Sequence, residues 1–109
     1  MNKRVYISGP ITNMPNLNRD AFYAHAAKLA SEGVESYNPH DIPLPANMAE
    51  MTHDEIWQYF MRECVRNIPN CTVIHMLPKW GLSRGARWEH NIAEMLGLEI
   101  LYLPDVVAS

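Results

Sequence analysis

The chain has 109 residues, of which 48% are hydrophobic, and a formal net charge of −3. We expect a single domain over residues 1–109, because this length is too short for two domains and buries about two-thirds of the unfolded surface without needing disulfides. The negative charge excludes a bulk attraction to nucleic acid polymers or anionic membranes, so any phosphate site must be local.

The first half of the chain predicts two strands separated by a helix. Gly9 and Pro10 end a β-branched and aromatic run that is typical of a buried strand. Asn18 is expected to cap the helix, and Gly33 suits the position after its last turn. The expected elements are a strand over residues 5–8, a loop over 11–17, a helix over 18–32 that buries Ala21, Phe22, Ala26 and Leu29, and a strand over 34–37.

The second half opens with a proline-containing irregular loop over residues 38–51, and loops of that length in a compact domain are often functional lids. Thr52 and Glu55 form a capping-box pattern, which predicts a helix to about Asn67. The remaining expectations are burial of Ile56, Tyr59, Phe60 and Val65 on that helix, a strand over 72–77, a loop over 78–84, a helix over 85–96 ended by Gly97, and a strand over 99–103.

Alternation of strands and helices predicts a three-layer α/β fold, with a parallel four-stranded sheet and helices on both faces. Right-handed crossovers leave few topologies, of which we expect strand order 2-1-3-4. Ligands of such sheets bind outside the carboxyl ends of the strands, where the strand order reverses. That point lies between the first and third strands, where the loops over residues 9–17, 38–51 and 78–84 converge.

The loop from Trp80 to Gly85 leads into the start of the last helix, where free backbone amides and the helix dipole favour phosphate. Ser83 either donates to a phosphate oxygen or only caps the helix, and Arg84 either adds a guanidinium to the anion site or is solvated. The loop lacks the Walker A ending, and the turn at Gly9 is not a dinucleotide fingerprint.

Four further side chains are candidates for a ligand site. Glu89 near the start of the last helix either approaches the sugar of a bound ligand or only complements the helix dipole. Tyr6 is either a core tyrosine or a hydrogen-bond partner of Glu89. Asn38 either ends its strand or contacts the sugar or base. Trp80 is the one tryptophan placed to stack on a base, whereas the two on helices are expected to pack.

Nothing in the sequence predicts a metal ion, a cofactor or a membrane segment. The five histidines form no metal-binding spacing, and His90 is expected at the surface or behind the site. Cys64 and Cys71 are expected to be reduced, as in a cytoplasmic protein. No apolar run approaches the ~18 residues of a membrane span, and the amino-terminal strand is too short for a signal-peptide core.

The segments Val5–Thr12, Asn38-Pro39 and Ser83–His90 resemble the nucleoside 2-deoxyribosyltransferase-like family, within it the DUF4406 group of small phage and prophage proteins. The resemblance extends over residues 3–104. It implies a flavodoxin-like or Rossmann-like α/β sandwich. It also implies a homo-oligomer, a dimer or larger, in which a neighbouring subunit closes the site, and the apolar tail at residues 106–108 fits such a contact.

The resemblance also implies roles for the candidate residues. A glutamate at the Glu89 position attacks the anomeric carbon of a deoxynucleoside, a tyrosine at the Tyr6 position orients it, and the base departs. In the related deoxynucleoside 5′-monophosphate N-hydrolases, the loop matching Ser83 and Gly85 binds the phosphate and water resolves the intermediate; in the transferases a second base does so. The expected substrate-binding residues are Gly9, Pro10, Ile11, Asn38, Trp80, Ser83, Arg84 and Gly85.

One position departs from the family pattern. Enzymes of the group carry an aspartate in the second helix where this chain has Cys64, and a thiol does not donate protons in the same way. Glu63 lies roughly 100° around the helix, so either the helix shifts register, or Asp41 or Asp54 substitutes, or catalysis is weak or absent. Three functions stay open: an N-glycosidase or deoxyribosyltransferase, a nucleotide-binding module without turnover, and a structural protein that keeps only the fold.

Overall fold

A computed structural model describes residues 3–104, and strands and helices alternate along them; the tail at residues 106–108 lies outside this range. The strands are β1 (Arg4–Ser8), β2 (Glu35–Tyr37), β3 (Val73–Met76) and β4 (Glu99–Tyr102). The helices are α1 (Arg19–Ser31), α2 (His53–Asn67) and α3 (Arg84–Met95). Short 3₁₀ turns lie between them, at Pro15–Asn18, Pro39–Asp41, Met48–Glu50, Ile68–Asn70 and Trp80–Leu82.

The four strands form one parallel sheet in the order β2-β1-β3-β4, which confirms the predicted topology. In register, Tyr6 of β1 lies beside Tyr37 of β2 and Ile74 of β3. Because all strands run the same way, the loops that follow β1, β2 and β3 leave the sheet at the same edge.

The sheet has a separate hydrophobic core on each face, because successive strand residues point to opposite sides. Val5 and Ile7 pack with Phe22 and Leu29 of α1 on one face. Tyr6 packs on the other face among residues of α2, α3 and the adjoining segments, which are Cys64, Ile68, Ile74, Met76, Ala86 and Ala93. One helix therefore covers the first face and two helices cover the second.

The helix boundaries follow the predicted capping signals, with one exception. Thr52 and Glu55 make both hydrogen bonds of the capping box at the start of α2. Gly33 and Gly97 follow α1 and α3 with φ of +74° and +77°, which favour glycine. The prediction that the Asn18 side chain caps α1 is wrong: its backbone is left-handed, and its Nδ2 donates instead to the Pro10 carbonyl at 2.9 Å.

The prediction that Val65 is buried on α2 is also wrong, since 41% of this residue is exposed. Cys64 and Ile68 face the core instead. Adjacent residues of a helix differ in direction by about 100°, so burying Cys64 turns its neighbour toward solvent. In the described part of the chain, none of the helices combines the length and apolarity that crossing a membrane requires.

Candidate active site

A buried polar cluster joins β1 to α3. The Tyr6 hydroxyl donates to Oε2 of Glu89, and the Ser8 hydroxyl donates to Oε1 at 3.0 Å. Tyr6 and Ser8 are two residues apart on one strand, so their side chains point to the same face of the sheet. Glu89 lies on the inner side of α3, and only 6% of it is exposed. Both carboxylate oxygens are therefore held at the carboxyl end of β1.

Helix α2 contributes the third member of this cluster. The Cys64 thiol is buried beside Tyr6 and Glu89, close enough to affect the pKa values of both. The position that the family resemblance assigns to an aspartate therefore faces the carboxylate without any shift of register. Tyr37 of β2 closes the other side of Tyr6, with the two rings stacked at 5.3 Å between centroids.

The electrostatics of the cluster make Glu89 the group that changes charge near neutral pH. Burial raises the pKa of Glu89 to about 7, although hydrogen bonds from Tyr6, Ser8 and Cys64 act in the opposite direction. Burial also raises the pKa values of the Tyr6 hydroxyl and the Cys64 thiol well above their ordinary values, so both keep their protons. An ionisable carboxylate surrounded by neutral donors suits a nucleophile whose orientation is fixed.

The start of α3 has the capping arrangement that was one of the two alternatives for Ser83. The Ser83 hydroxyl oxygen accepts a hydrogen bond from the Ala86 amide at 3.2 Å. Arg84 is exposed, as the solvated alternative expects, and its guanidinium lies 3.9 Å above the ring of Trp57 in a cation–π contact. A phosphate site at the start of α3 remains a prediction. To bind a phosphate there, Arg84 would either leave the ring of Trp57 or contact the ring and the phosphate together.

The turn after β1 is shaped by close packing. A Cβ on Gly9 would lie 2.8 Å from Cβ of Leu77, so glycine is required where these two segments approach. Pro10 is buried, and its carbonyl accepts the hydrogen bond from Asn18. Ile11 is partly buried against the α1-side core. These three predicted binding residues hold the loop in place, and their contact with a ligand stays a prediction.

Asn38, at the end of β2, has a hydrogen-bond partner for its side-chain oxygen but not for its side-chain nitrogen. Its Oδ1 accepts the His40 amide at 2.9 Å, which ends the strand in a tight turn. Its Nδ2 is buried and has no hydrogen-bond partner among the described residues, and only 4% of the residue is exposed. An unpaired buried donor costs free energy, so this amide is a natural place for an acceptor atom of a ligand.

Trp80 packs against the core on the α2–α3 face and is part of an aromatic group. Its ring stacks on His90 at 4.5 Å between centroids and contacts Tyr102 at 5.8 Å. His90 Nε2 and the Tyr102 hydroxyl are themselves hydrogen-bonded at 2.6 Å. One face of the indole is therefore already used within the protein, and stacking on a base would need the other.

The acids considered as replacements for the missing aspartate all have other surroundings. Asp41 accepts a hydrogen bond from the Tyr23 hydroxyl at 3.1 Å, and Asp54 is exposed in the first turn of α2. Glu63 forms an ion pair with Arg66 at 2.9 Å. Within residues 3–104, no group of three or more His, Cys, Asp or Glu side chains is arranged to hold a metal ion.

Two depressions in the surface lie away from the buried carboxylate. A groove of about 580 Å³ runs along the outer side of α2, beside Trp57, Met61 and Val65. A second depression, of about 350 Å³, includes Thr72 and Leu98, which precede β3 and β4 and so lie at the opposite edge of the sheet. Glu89 lines neither of these two depressions.

Sequence reasoning missed Ser8, Tyr37 and the direct contact of Cys64 with Glu89. A signal for Ser8 was present, because the two-residue repeat of a strand puts it on the same face as Tyr6. Tyr37 could have been found in the same way once the β1–β2 pairing was known. The Cys64 contact depends on how α2 packs, and no local pattern reports that.

Comparison with known protein families matches residues 3–102 to a family described as a domain of unknown function, DUF4406. No curated protein matches the chain.

Proposed function

Since the chain belongs to the DUF4406 family, whose description names no activity, we propose a function from the site itself. The protein is a nucleoside 2-deoxyribosyltransferase-like enzyme that cleaves the N-glycosidic bond of a deoxynucleoside or its 5′-monophosphate. Glu89 is the nucleophile and Tyr6 orients it. The observation that carries the proposal is the buried Glu89 carboxylate, held on both oxygens by Tyr6 and Ser8.

The reaction proceeds by two displacements at the anomeric carbon. A Glu89 oxygen attacks C1′, the C1′–N bond breaks, and its electron pair leaves with the base through an oxocarbenium-like transition state. The donors Tyr6 and Ser8 keep the carboxylate aimed, so little orientation is lost on the way to the transition state. Water then attacks C1′ and frees Glu89 in hydrolysis, whereas a second base does so in transfer.

Binding of the substrate uses the loops at the same edge of the sheet. The backbone amides at the start of α3, including that of Gly85, and the Ser83 hydroxyl donate hydrogen bonds to the 5′-phosphate, and Arg84 adds a positive charge. Asn38 offers its unpaired Nδ2 to the sugar or base, and Trp80 stacks on the base. A phosphorylated substrate is favoured by these groups, and with it hydrolysis rather than transfer.

The proposal includes a cytoplasmic homo-oligomer, a dimer or larger, in which a neighbouring subunit closes the site. Large apolar side chains are exposed on the outer sides of α2 and α3: Val65 by 41%, Trp88 by 52% and Met95 by 82%. Exposed apolar residues of this size on adjacent helices are typical of surfaces that bind another protein.

The test is base release from a panel of deoxynucleosides and their 5′-monophosphates, including purines alkylated at N7, followed by chromatography. We expect release from at least one monophosphate, and loss of about 10³-fold or more in Glu89→Gln, because a nucleophile cannot be replaced by an amide. Release from no member of the panel, or undiminished release by Glu89→Gln, would contradict the proposal.

A nucleotide-binding protein without turnover is the second candidate. The thiol at Cys64 favours it, because a site with one acid lacks a second group that could protonate the leaving base. Thermal unfolding with each nucleotide discriminates between the two functions. A ligand at a hundred times its Kd adds about 2.7 kcal/mol to the free energy of unfolding. Stabilisation of that size without base release would support binding alone.

A further inference from the structure

We propose that this site acts on nucleotides whose base departs without a proton from the protein, such as purine deoxynucleoside 5′-monophosphates that carry an alkyl group on N7. The inference rests on the proposed function and adds the class of its substrate. It follows from what surrounds Glu89: a carboxylate able to attack, and neutral hydroxyl and thiol groups in place of a second acid.

The neighbours of Glu89 come from three different elements. Strand β1 supplies Tyr6 and Ser8, and helix α2 supplies Cys64. Behind them, Tyr37 of β2 stacks on Tyr6, and burial raises the pKa of its hydroxyl to about 12. Among the described residues these groups are all neutral near pH 7, and each holds its proton more tightly than an acid catalyst does at that pH.

The nearest other ionisable groups are directed elsewhere. Glu63, one residue before Cys64, is held by Arg66 at 2.9 Å. His90, one residue after Glu89, is hydrogen-bonded to Tyr102 and stacked on Trp80. Neither of them contributes to the raised pKa of Glu89, which comes from burial. Among the described residues, the direct partners of the Glu89 carboxylate are therefore Tyr6, Ser8 and Cys64, and no second acid is in contact with it.

The absence of a partner acid decides which bases can leave. In an ordinary purine nucleotide, the C1′–N9 electron pair departs on an anionic base unless a proton arrives, and a positioned general acid is worth about 10²–10⁴-fold in rate. In an N7-alkylated purine nucleotide the ring already carries a positive charge. The same electron pair then neutralises that charge, and the base leaves as a neutral molecule.

The balance of the reaction needs only water. In the first step the bond from C1′ to Glu89 forms as the bond from C1′ to N9 breaks. In the second step the oxygen of a water molecule bonds to C1′, the Glu89 carboxylate is released, and one proton passes to solvent. The cationic nucleotide and water thus give the neutral alkylated base, deoxyribose 5-phosphate and a proton.

The deciding experiment compares initial rates of base release from N7-methyl-dGMP and from dGMP at pH 7.5, with Glu89→Gln measured in parallel to subtract spontaneous loss. We expect the methylated substrate to react at least about 10²-fold faster, because a general acid contributes at least about that factor to the rate and only dGMP needs one. Equal rates would overturn the inference and leave the proposed function standing. Failure with both substrates, and with the rest of the panel, would instead overturn the proposed function.

A pair of variants at position 64 tests the same point from the protein side. Cys64→Asp places a second acid beside Glu89, and Cys64→Asn has nearly the same shape without an ionisable proton. We expect the rate ratio between N7-methyl-dGMP and dGMP to narrow in Cys64→Asp and not in Cys64→Asn. An unchanged rate ratio in a folded Cys64→Asp protein would count against the inference. If the Cys64→Asp protein does not fold, the comparison of the two substrates in the unaltered protein is the deciding test.

The pH profile gives a third readout. The N1 proton of N7-methylguanine is itself lost near neutral pH, so kcat/KM for N7-methyl-dGMP is expressed per cationic, N1-protonated substrate. This value should rise with pH as Glu89 ionises and then stay level, because no acid of the protein has to remain protonated. A fall at high pH beyond the loss of the cationic substrate, which would report an essential acid of the enzyme, would contradict the inference.

Discussion

Each face of the sheet holds a hydrogen-bonded pair of titratable side chains, Tyr6 with Glu89 on one face and His25 with His75 on the other. On the α2–α3 face, Glu89 receives hydrogen bonds on both carboxylate oxygens, and burial raises its pKa to about 7. On the α1 face, Nε2 of His25 and Nδ1 of His75 lie 2.8 Å apart, and burial lowers the pKa of His75 to about 4. The first pair can change charge at neutral pH, and the second stays neutral.

The difference shows which buried polar group is arranged for chemistry. Donors directed at a carboxylate stabilise its charged form and keep it oriented. The histidine pair has one mutual hydrogen bond, while Nε2 of His75 is buried without a partner among the described residues. Electrostatic interactions with His25, Lys3 and Lys28 further lower its pKa. That arrangement links α1 to β3.

The largest effect that would sharpen this comparison comes from Tyr6→Phe. The substitution removes the donor to Oε2 of Glu89 and keeps the ring that stacks on Tyr37. We expect base release to fall about 10²-fold, as when one preorganised donor is removed from a catalytic site. The measurement is the release rate from the best substrate of the panel. An undiminished rate with unaltered folding would show that the α2–α3 cluster is only structural.

The next effect is the pH dependence of stability that Glu89 produces. Because its pKa is raised in the folded state, its contribution is fully present below the unfolded value near 4.5 and is lost as pH rises through about 7. The loss amounts to about 3 kcal/mol. Urea unfolding between pH 4 and 8.5 checks it, with Glu89→Gln as the matched control, in which this dependence should disappear.

The histidine pair should give a dependence of the opposite sign. The pKa of His75 is depressed in the folded state, so its contribution is present above pH 6.5 and is lost as pH falls through about 4. We expect a loss of about 2–3 kcal/mol between these values. In His75→Leu, where the new side chain cannot ionise and is expected to stay buried, the same unfolding series should show no such loss of stability at low pH. If the free energy of unfolding of this variant depends on pH in the same way as that of the unaltered protein, the histidine pair is not the cause of the dependence.

The smallest effect concerns the left-handed turn that leads into α1. Leu17 has φ of +53° and is 47% exposed, so its backbone is strained and its side chain is not fully packed. Leu17→Gly should stabilise the protein by about 1 kcal/mol, since left-handed backbone costs that much for a side-chain residue. Leu17→Ala is the control, because it removes the side chain and keeps the strain. Stabilisation by Ala as large as by Gly would contradict the explanation.

The fold could be predicted from the sequence because its signals are local. The capping box at Thr52 and Glu55, and the glycines after α1 and α3, mark element ends through backbone geometry alone. Once four short strands alternate with helices, parallel pairing and crossover handedness leave little choice of strand order. The structure confirms the order 2-1-3-4.

The site could be predicted only in part, because side-chain direction depends on packing. Tyr6 and Glu89 were expected to meet, and the structure brings them together. The direction of the Trp80 ring could not be predicted, because the ring stacks on His90 of α3, and His90 is in turn hydrogen-bonded to Tyr102 of β4. These contacts join three separate segments of the chain. Arg84 could not be placed either, because its partner Trp57 lies on a different helix.

The most direct test of Glu89 as a nucleophile is the mass of the protein after incubation with a 2′-fluoro-arabino nucleoside 5′-monophosphate. Fluorine beside C1′ destabilises the oxocarbenium-like transition states and so slows breakdown of the covalent intermediate. We predict a mass increase equal to the fluorinated sugar phosphate, located on Glu89 by peptide mapping and absent from Glu89→Gln. An unmodified protein that still releases base, or a label on any other residue, would contradict the account.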